Sequence, residues 1–242
     1  MSEFNAATFE ATIASLTSGL GTVSAKCGEA QIAANAALAN PLVVGWLADA
    51  IVWAFDKLIE GARWLIDRIG ELLQNAIAPV QMALKAFSWI DDVQKPMNTL
   101  SDSIQPRNLA NDDQWSGVAA KAYRRGVETQ DDAARAIAGV GATMAVQLGV
   151  CAAAGLGFYI ALGVIVVKFI AAMATAIAAF GTAVFSWAGL LLVVEEAAIT
   201  PAMIIAAVSG LATVLGVSSN AMIQTRTSMA NFPGANWPVG TN

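Results

Sequence analysis

The chain has 242 residues, of which 57% are hydrophobic and only 13% charged, with a formal net charge of −5 at pH 7. Soluble domains carry about 25% charged residues, so this is not the composition of an average soluble enzyme. The lack of histidine excludes imidazole metal sites and the usual general base near neutral pH. The acidic balance, without a clustered basic face, argues against a nucleic-acid partner.

The sequence offers no recognisable catalytic group. No nucleophile with a base, paired carboxylates in a defined pocket or phosphate-binding loop can be assembled, so we expect neither an enzyme nor a bound cofactor or metal. Cys27 and Cys151 are too far apart for a redox pair and are interpreted as free thiols in small apolar slots.

The first predicted element is a helix over about residues 5–38, in a domain of residues 1–40. From Phe9 to Ala34, apolar and small residues, Cys27 among them, recur at alternating spacings of four and three. This heptad pattern is typical of helices that pack by coiled-coil geometry.

A second amphipathic helix and a hairpin are predicted within residues 41–142. Pro41 is expected to start the helix and Lys95-Pro96 to end it, with a loop over residues 97–111. Its wide apolar arc includes three tryptophans, Trp46, Trp53 and Trp64. Such an arc is either sandwiched between partner helices or lies on a membrane surface; the acidic polar stripe favours the first interpretation.

Charged side chains on these helices are spaced for ion pairs. Glu60 with Arg63, Arg63 with Asp67, and Asp131 with Arg135 lie three or four residues apart, on one face of a helix.

A third helix is predicted to continue from the charged part of the chain into the apolar part. Asp112 and Asp113 are candidate caps. From Ala119 to Met144 the spacing of four and three returns, and no helix breaker separates this pattern from the apolar run that follows. One long helix is therefore expected to join the two parts.

Three uncharged runs of 32, 26 and 29 residues follow Arg135. A span needs about 20 helical residues, so we predict two or three transmembrane helices in residues 143–218, near 144–167, 169–194 and 197–217. The alternative is a set of buried helices in a very apolar oligomer. Residues 219–242, which carry two prolines and two glycines in the last twelve positions, are expected to form an irregular tail.

Two features of the apolar region are candidate functional sites. Small residues recur every four positions along the first span and form a ridge for close helix packing or an oligomer contact: Gly149, Ala153, Gly157 and Ala161. Three charges flank the second span and are either interface charges or members of an ion path: Lys168, Glu195 and Glu196.

The residues Trp115-Ser116-Gly117, followed by Val-Ala-Ala-Lys-Ala-Tyr123, resemble the Trp-x-Gly proteins exported by type VII (ESX) secretion in actinobacteria. The resemblance implies two antiparallel helices joined at Trp115 and Gly117, and a helical-hairpin partner or a second copy. It covers about a quarter of the chain. The export signal of that family is missing here in strict form, because Val127 stands four residues after Tyr123. The apolar region resembles that of larger, membrane-active relatives.

Two functions follow from these observations. The first is a type VII-associated protein of the cell envelope that oligomerises through its hairpin and inserts in lipid as a pore, after secretion or without it. The second is a resident structural or accessory protein of the cytoplasmic membrane without flux. The basic residues before the first span favour the second by the positive-inside rule: Lys121, Arg124, Arg125 and Arg135.

Overall fold

Six α-helices and one short π-helix make up almost all of the described chain, which confirms the predicted all-α class. In this computed structural model the described residues are 4–43, 45–105, 108, 115–181, 187–225, 232 and 236–238, and side chains are described for all of them except residues 181 and 187–199. The elements are α1 (Ala6–Leu38), α2 (Trp46–Leu73), α3 (Ile77–Ser88), the π-helix (Trp89–Gln94), α4 (Lys95–Ile104), α5 (Val118–Gly181) and α6 (Trp187–Gln224).

Helix α1 confirms the prediction made from the heptad pattern. Asn5 caps it, since the side-chain oxygen accepts a hydrogen bond from the backbone N–H of Thr8 at 2.9 Å. The buried residues are members of the predicted seam: Phe9, Leu16, Val23, Ala30 and Ala34.

Helix α2 begins at Trp46, so the predicted start at Pro41 is wrong. The Asn40 side chain accepts a hydrogen bond from the backbone N–H of Leu42 at 3.0 Å, which holds the chain in a turn there. Gly45 then adopts a φ of +42°, which interrupts any helix that starts earlier.

The predicted core position of the α2 tryptophans is also wrong. The buried stripe of α2 is narrow and consists of Ile51, Ala54, Leu58, Ala62, Leu65 and Ile69. Trp46, Trp53 and Trp64 lie outside it and are 70%, 49% and 37% exposed. The small Ala54 and Ala62 are fully buried in this stripe, whereas the large indole rings lie beside it.

The chain remains helical from Ile77 to Ile104, so Lys95-Pro96 does not end a helix and residues 97–104 are not a loop. Pro96 directly follows the π-helix, in which the N–H of Lys95 bonds to the carbonyl of Ile90, and this wider turn accommodates the proline within the helical chain. Pro79 lies in the first turn of α3, where a missing backbone N–H costs little.

Helix α5 confirms the expected continuous helix between the charged and apolar parts. Its 64 residues span about 96 Å at 1.5 Å per residue. It runs through Lys168, so the predicted division between spans at that residue is wrong; Lys168 is an exposed residue of the helix interior. The candidate caps Asp112 and Asp113 lie outside the described residues.

Helix α6 contains the predicted third span and continues through Pro201 to Gln224, so residues 219–224 are helical and not part of an irregular tail. Beyond it, the described tail residues include Phe232 and Trp237, whose ring centroids lie 6.1 Å apart.

The chain forms two compact units. One comprises Met1–Phe4, Pro79–Ala153 and Thr213–Asn242, and the other comprises Asn5–Ala78 and Ala154–Ala212. Residues 154–180 of α5 belong to the second unit, with α1 and α2; we call them distal α5.

Within the second unit, α1 and distal α5 run in the same direction. Phe9 of α1 packs edge-to-face on Tyr159 with ring centroids 5.5 Å apart. Further along both helices, Gly19 of α1 lies against Val166. The Tyr159 hydroxyl donates a hydrogen bond to the carbonyl of Leu72, 2.9 Å away, at the end of α2. The buried side chains of distal α5 follow a heptad pattern of their own: Tyr159, Leu162, Val166, Phe169, Met173, Ala176 and Phe180.

Candidate functional site

The Trp-x-Gly residues form the start of α5. Gly117 has a φ of +105°, and its carbonyl accepts a hydrogen bond from the backbone N–H of Lys121 at 3.2 Å. The Trp115 ring lies on that of Tyr123 with centroids 5.4 Å apart, and Arg124 Nη2 donates a hydrogen bond to the Trp115 carbonyl at 3.1 Å. The motif therefore directs the chain into α5, and its contacts with Lys121, Tyr123 and Arg124 stabilise the first turns of that helix.

The glycine is required by this backbone conformation, which residues with a Cβ rarely adopt. We expect Gly117→Ala to lower the free energy of unfolding by about 1–2 kcal/mol, measured by urea titration. Gly139→Ala is the matched control, since Gly139 is helical in the same α5 and a Cβ there meets no described atom within 4 Å. The control should stabilise by up to about 1 kcal/mol; a loss of stability equal to that of Gly117→Ala would contradict this account.

A polar cluster joins α4 to α5 within the first unit. The buried Ser101 hydroxyl donates a hydrogen bond to the Asp131 carboxylate. Arg135 binds both oxygens of the same carboxylate, at 3.1 and 3.0 Å, which confirms the predicted ion pair. The hydrogen bond and the charge of Asp131 raise the pKa of Arg135. This cluster positions the two helices that flank the Trp-x-Gly residues.

The predicted ion pairs of Arg63 are wrong. Glu60 pairs instead with Lys57 at 2.7 Å, and Arg68 pairs with Glu71 at 2.8 Å. Among the described residues no carboxylate oxygen lies within 4 Å of Arg63, which lines a groove between α1 and α2 together with Cys27.

The Cys27 thiol is half-buried in this groove. Burial raises its pKa and the nearby charge of Arg63 lowers it, with burial the larger effect. The thiol is therefore mostly protonated at neutral pH, which is the unreactive form. Cys151 is buried, and the described residues contain no group of His, Cys, Asp or Glu that would hold a metal ion.

Among the described residues no helix packs closely on the two glycines of the predicted ridge, and an oligomer contact there stays a prediction. A Cβ built on Gly149 or Gly157 meets no described atom within 4 Å. Ala153 and Ala161 are half-buried. The ridge stays open, and distal α5 is packed through the heptad residues that begin at Tyr159.

Close helix approaches that we did not predict occur at Gly141 of α5, where a Cβ would lie 3.1 Å from the backbone nitrogen of Gln94, and at Gly19 of α1. A Cβ built on Gly19 would lie 2.7 Å from Cγ1 of Val166. The sequence contains a signal for the approach at Gly19. Leu16, Gly19 and Val23 are spaced by three and four residues, so Gly19 lies on the same face of α1 as the predicted heptad seam.

Two described helices are long and apolar enough to cross a membrane, by length and composition. They are the 63-residue stretch Val118–Phe180 and the 25-residue stretch Thr200–Gln224. In the first, 44% of the apolar window is buried within the protein, as in a core helix; in the second, only 11% is buried. The side chains of Glu195 and Glu196 lie outside the described residues.

The α6 segment Thr200–Gln224 is thus the least covered apolar helix of the described chain. Large apolar side chains point outward along its whole length: Ile205, Val217 and Ile223. Exposed apolar patches of this extent mark contacts with lipid or another protein.

Searches among protein-family models, curated proteins and solved structures give no match to this chain. The functional argument therefore starts from the residues and their geometry.

Proposed function

We propose that this protein inserts in a membrane, and that the α6 segment Thr200–Gln224 is the span that crosses it without a change of packing. The observation that supports this is an apolar helical segment of 25 residues whose most apolar window is only 11% buried. At 1.5 Å per residue it is about 37 Å long, enough to cross a hydrocarbon core of about 30 Å. Lipid would cover the side chains that the protein itself leaves exposed.

Distal α5 is the second candidate span, and it needs a change of packing to insert. One side of it is covered by α1, whose outer face carries Glu10 and the Lys26–Glu29 ion pair. Charges at the bilayer centre cost several kcal/mol each. Insertion of distal α5 with α1 still bound would bring these charges into lipid, so the proposal requires α1 to separate first. Lys168, in the middle of distal α5, carries the same cost, so it would face the water of the pore and not lipid.

The proposal extends to a type VII-associated helical-hairpin protein of the cell envelope. The support is the turn at Gly117, the contact of Trp115 with Tyr123, and the Ser101–Asp131 cluster that holds α4 on α5. A second copy or a helical-hairpin partner would pack on the open ridge through Gly149 and Gly157, and several copies would line a pore.

A resident accessory protein of the cytoplasmic membrane is the second candidate. It is favoured by the four basic residues in the first 18 residues of α5, which the positive-inside rule retains in the cytoplasm. The two functions differ in the side of the membrane on which α1 lies.

The first test mixes the purified full chain with dye-filled vesicles. Insertion predicts protein that resists alkaline extraction, and a pore predicts dye release. Resistance without release retains the membrane span and excludes the pore. Complete extraction of the protein at high lipid would overturn insertion.

The side of α1 is read from Cys27 in a Cys151→Ser variant. Intact cells are treated with an impermeant maleimide and compared with lysed cells in which the protein stays folded, because the half-buried thiol reacts slowly on either side of the membrane. Equal labelling before and after lysis supports export followed by insertion; labelling that requires lysis but not denaturation supports the resident protein.

A further inference from the structure

The three tryptophans of α2 form a straight row on its exposed face. Trp53 follows Trp46 by seven residues and Trp64 follows Trp53 by eleven. At 3.6 residues per turn, all three lie within about 20° of one line along the helix. The row is about 27 Å long at 1.5 Å per residue. We call Trp46, Trp53 and Trp64 the tryptophan row.

Charged side chains alternate with the tryptophan row on the same face. The Lys57–Glu60 and Arg68–Glu71 ion pairs are partly exposed there, with N to O distances of 2.7 and 2.8 Å. The exposed carboxylates of Asp49 and Asp67 lie at its edge. The face therefore combines large amphipathic rings with charges of both signs.

The charges, and not the tryptophans, distinguish this face from a protein-docking surface. Trp is enriched in protein interfaces, but their cores are depleted in Lys, Glu and Asp. The headgroup layer of a bilayer instead accepts tryptophan rings together with charged side chains, and it is there that Trp is enriched in membrane proteins. Because the three rings lie on one straight line about 27 Å long, they can all contact a flat membrane surface at the same time.

We propose that the tryptophan row docks the protein on the headgroup layer of a zwitterionic bilayer, with α2 parallel to the membrane plane. The face carries four carboxylates against two cations: Asp49, Glu60, Asp67 and Glu71 against Lys57 and Arg68. Zwitterionic headgroups match these mixed charges, whereas anionic lipid repels the excess of carboxylates.

Docking would also bring distal α5, the second candidate span, close to lipid. The carbonyl of Leu72, at the end of α2, accepts the hydrogen bond of Tyr159 in distal α5. The inference rests on the proposed membrane function for the presence of a bilayer, but docking and insertion are separate steps and fail separately.

The test measures vesicle binding by sedimentation, with the full chain and phosphatidylcholine vesicles with or without phosphatidylglycerol. The triple variant Trp46→Ala/Trp53→Ala/Trp64→Ala should bind phosphatidylcholine at least about tenfold more weakly, because most of the apolar area of the row is lost. Ile32→Ala is the control, since Ile32 is 72% exposed on α1, away from the row. It should bind like the wild type. Added phosphatidylglycerol should weaken wild-type binding.

A second measurement leaves the tryptophans in place. A polarity-sensitive dye is attached to Lys57→Cys, within the row, or to Gln31→Cys on α1, both in a Cys27→Ala/Cys151→Ala background. Vesicles should shift the emission of the first dye to the blue and leave the second unchanged.

The outcomes separate the two proposals. Wild-type affinity of the triple variant, an unshifted dye at position 57, a requirement for phosphatidylglycerol, or no wild-type binding would each overturn docking. Binding through the row without extraction-resistant protein would retain docking and overturn insertion. Extraction-resistant insertion that is equal in the wild type and the triple variant would retain insertion and overturn docking.

Discussion

A disulfide between α1 and distal α5 is expected to block the insertion of distal α5, and reduction is expected to restore it. The variant is Gly19→Cys/Val166→Cys in a Cys27→Ala/Cys151→Ala background. A Cβ built on Gly19 lies 3.8 Å from the Cβ of Val166. Disulfides have the same mean Cβ separation, about 3.8 Å, so the bond should form without backbone movement.

The expected effect follows from the polar outer face of α1. While the disulfide holds, distal α5 enters lipid only with Glu10 of α1, at a cost of several kcal/mol per charge. The measurement is trypsin digestion with vesicles. Reduced protein should yield a protected fragment in which Lys168 is uncut, and oxidised protein should yield it only at the level seen without vesicles.

Gly21→Cys/Val166→Cys is the matched control for the disulfide. Gly21 lies on the same helix, but a Cβ there meets no described atom within 4 Å. No bridge should form, and oxidant should leave protection unchanged. Equal protection of oxidised and reduced Gly19→Cys/Val166→Cys would show that distal α5 does not need to leave α1.

The second large effect is expected for a charge placed in α6. Ile205→Lys should lower the fraction of inserted protein by roughly tenfold or more, because Lys costs about 2.5–3.5 kcal/mol at the centre of a span and a large part of that at Ile205, seven residues from the middle of Thr200–Gln224. Ile205 is 62% exposed, so the fold in the absence of lipid should keep its stability. The measurement is the fraction that resists alkaline extraction, with thermal unfolding in buffer beside it.

Ile32→Lys serves as the control, since it places the same charge on an exposed apolar position of α1. Insertion of this variant should match the wild type. Val217→Lys, on a second exposed position of α6, should repeat the loss seen with Ile205→Lys. If both α6 variants insert normally, Thr200–Gln224 is not a span.

Features with a local cause were predictable from the sequence. The buried seam of α1 follows from the spacing of Phe9, Leu16 and Val23, because the period of a helix alone decides which residues share a face. The unbroken α5 follows from the lack of any proline between Val118 and Gly181. The pair of Asp131 with Arg135 was predictable for the same reason, since a helix brings residues four apart together.

The features of the candidate site depended on the other helices. Hydrophobicity placed Trp46, Trp53 and Trp64 in the core, but burial is decided by which face a neighbouring helix covers, and α1 and distal α5 leave this one open. Four small residues predicted a ridge on α5, but among the described residues the close helix approaches are at Gly19 and Gly141. The sequence by itself thus determined the helices and their apolar segments. Only the tertiary structure decided which faces meet, because contacts between residues far apart in the chain depend on shape and not on a local period.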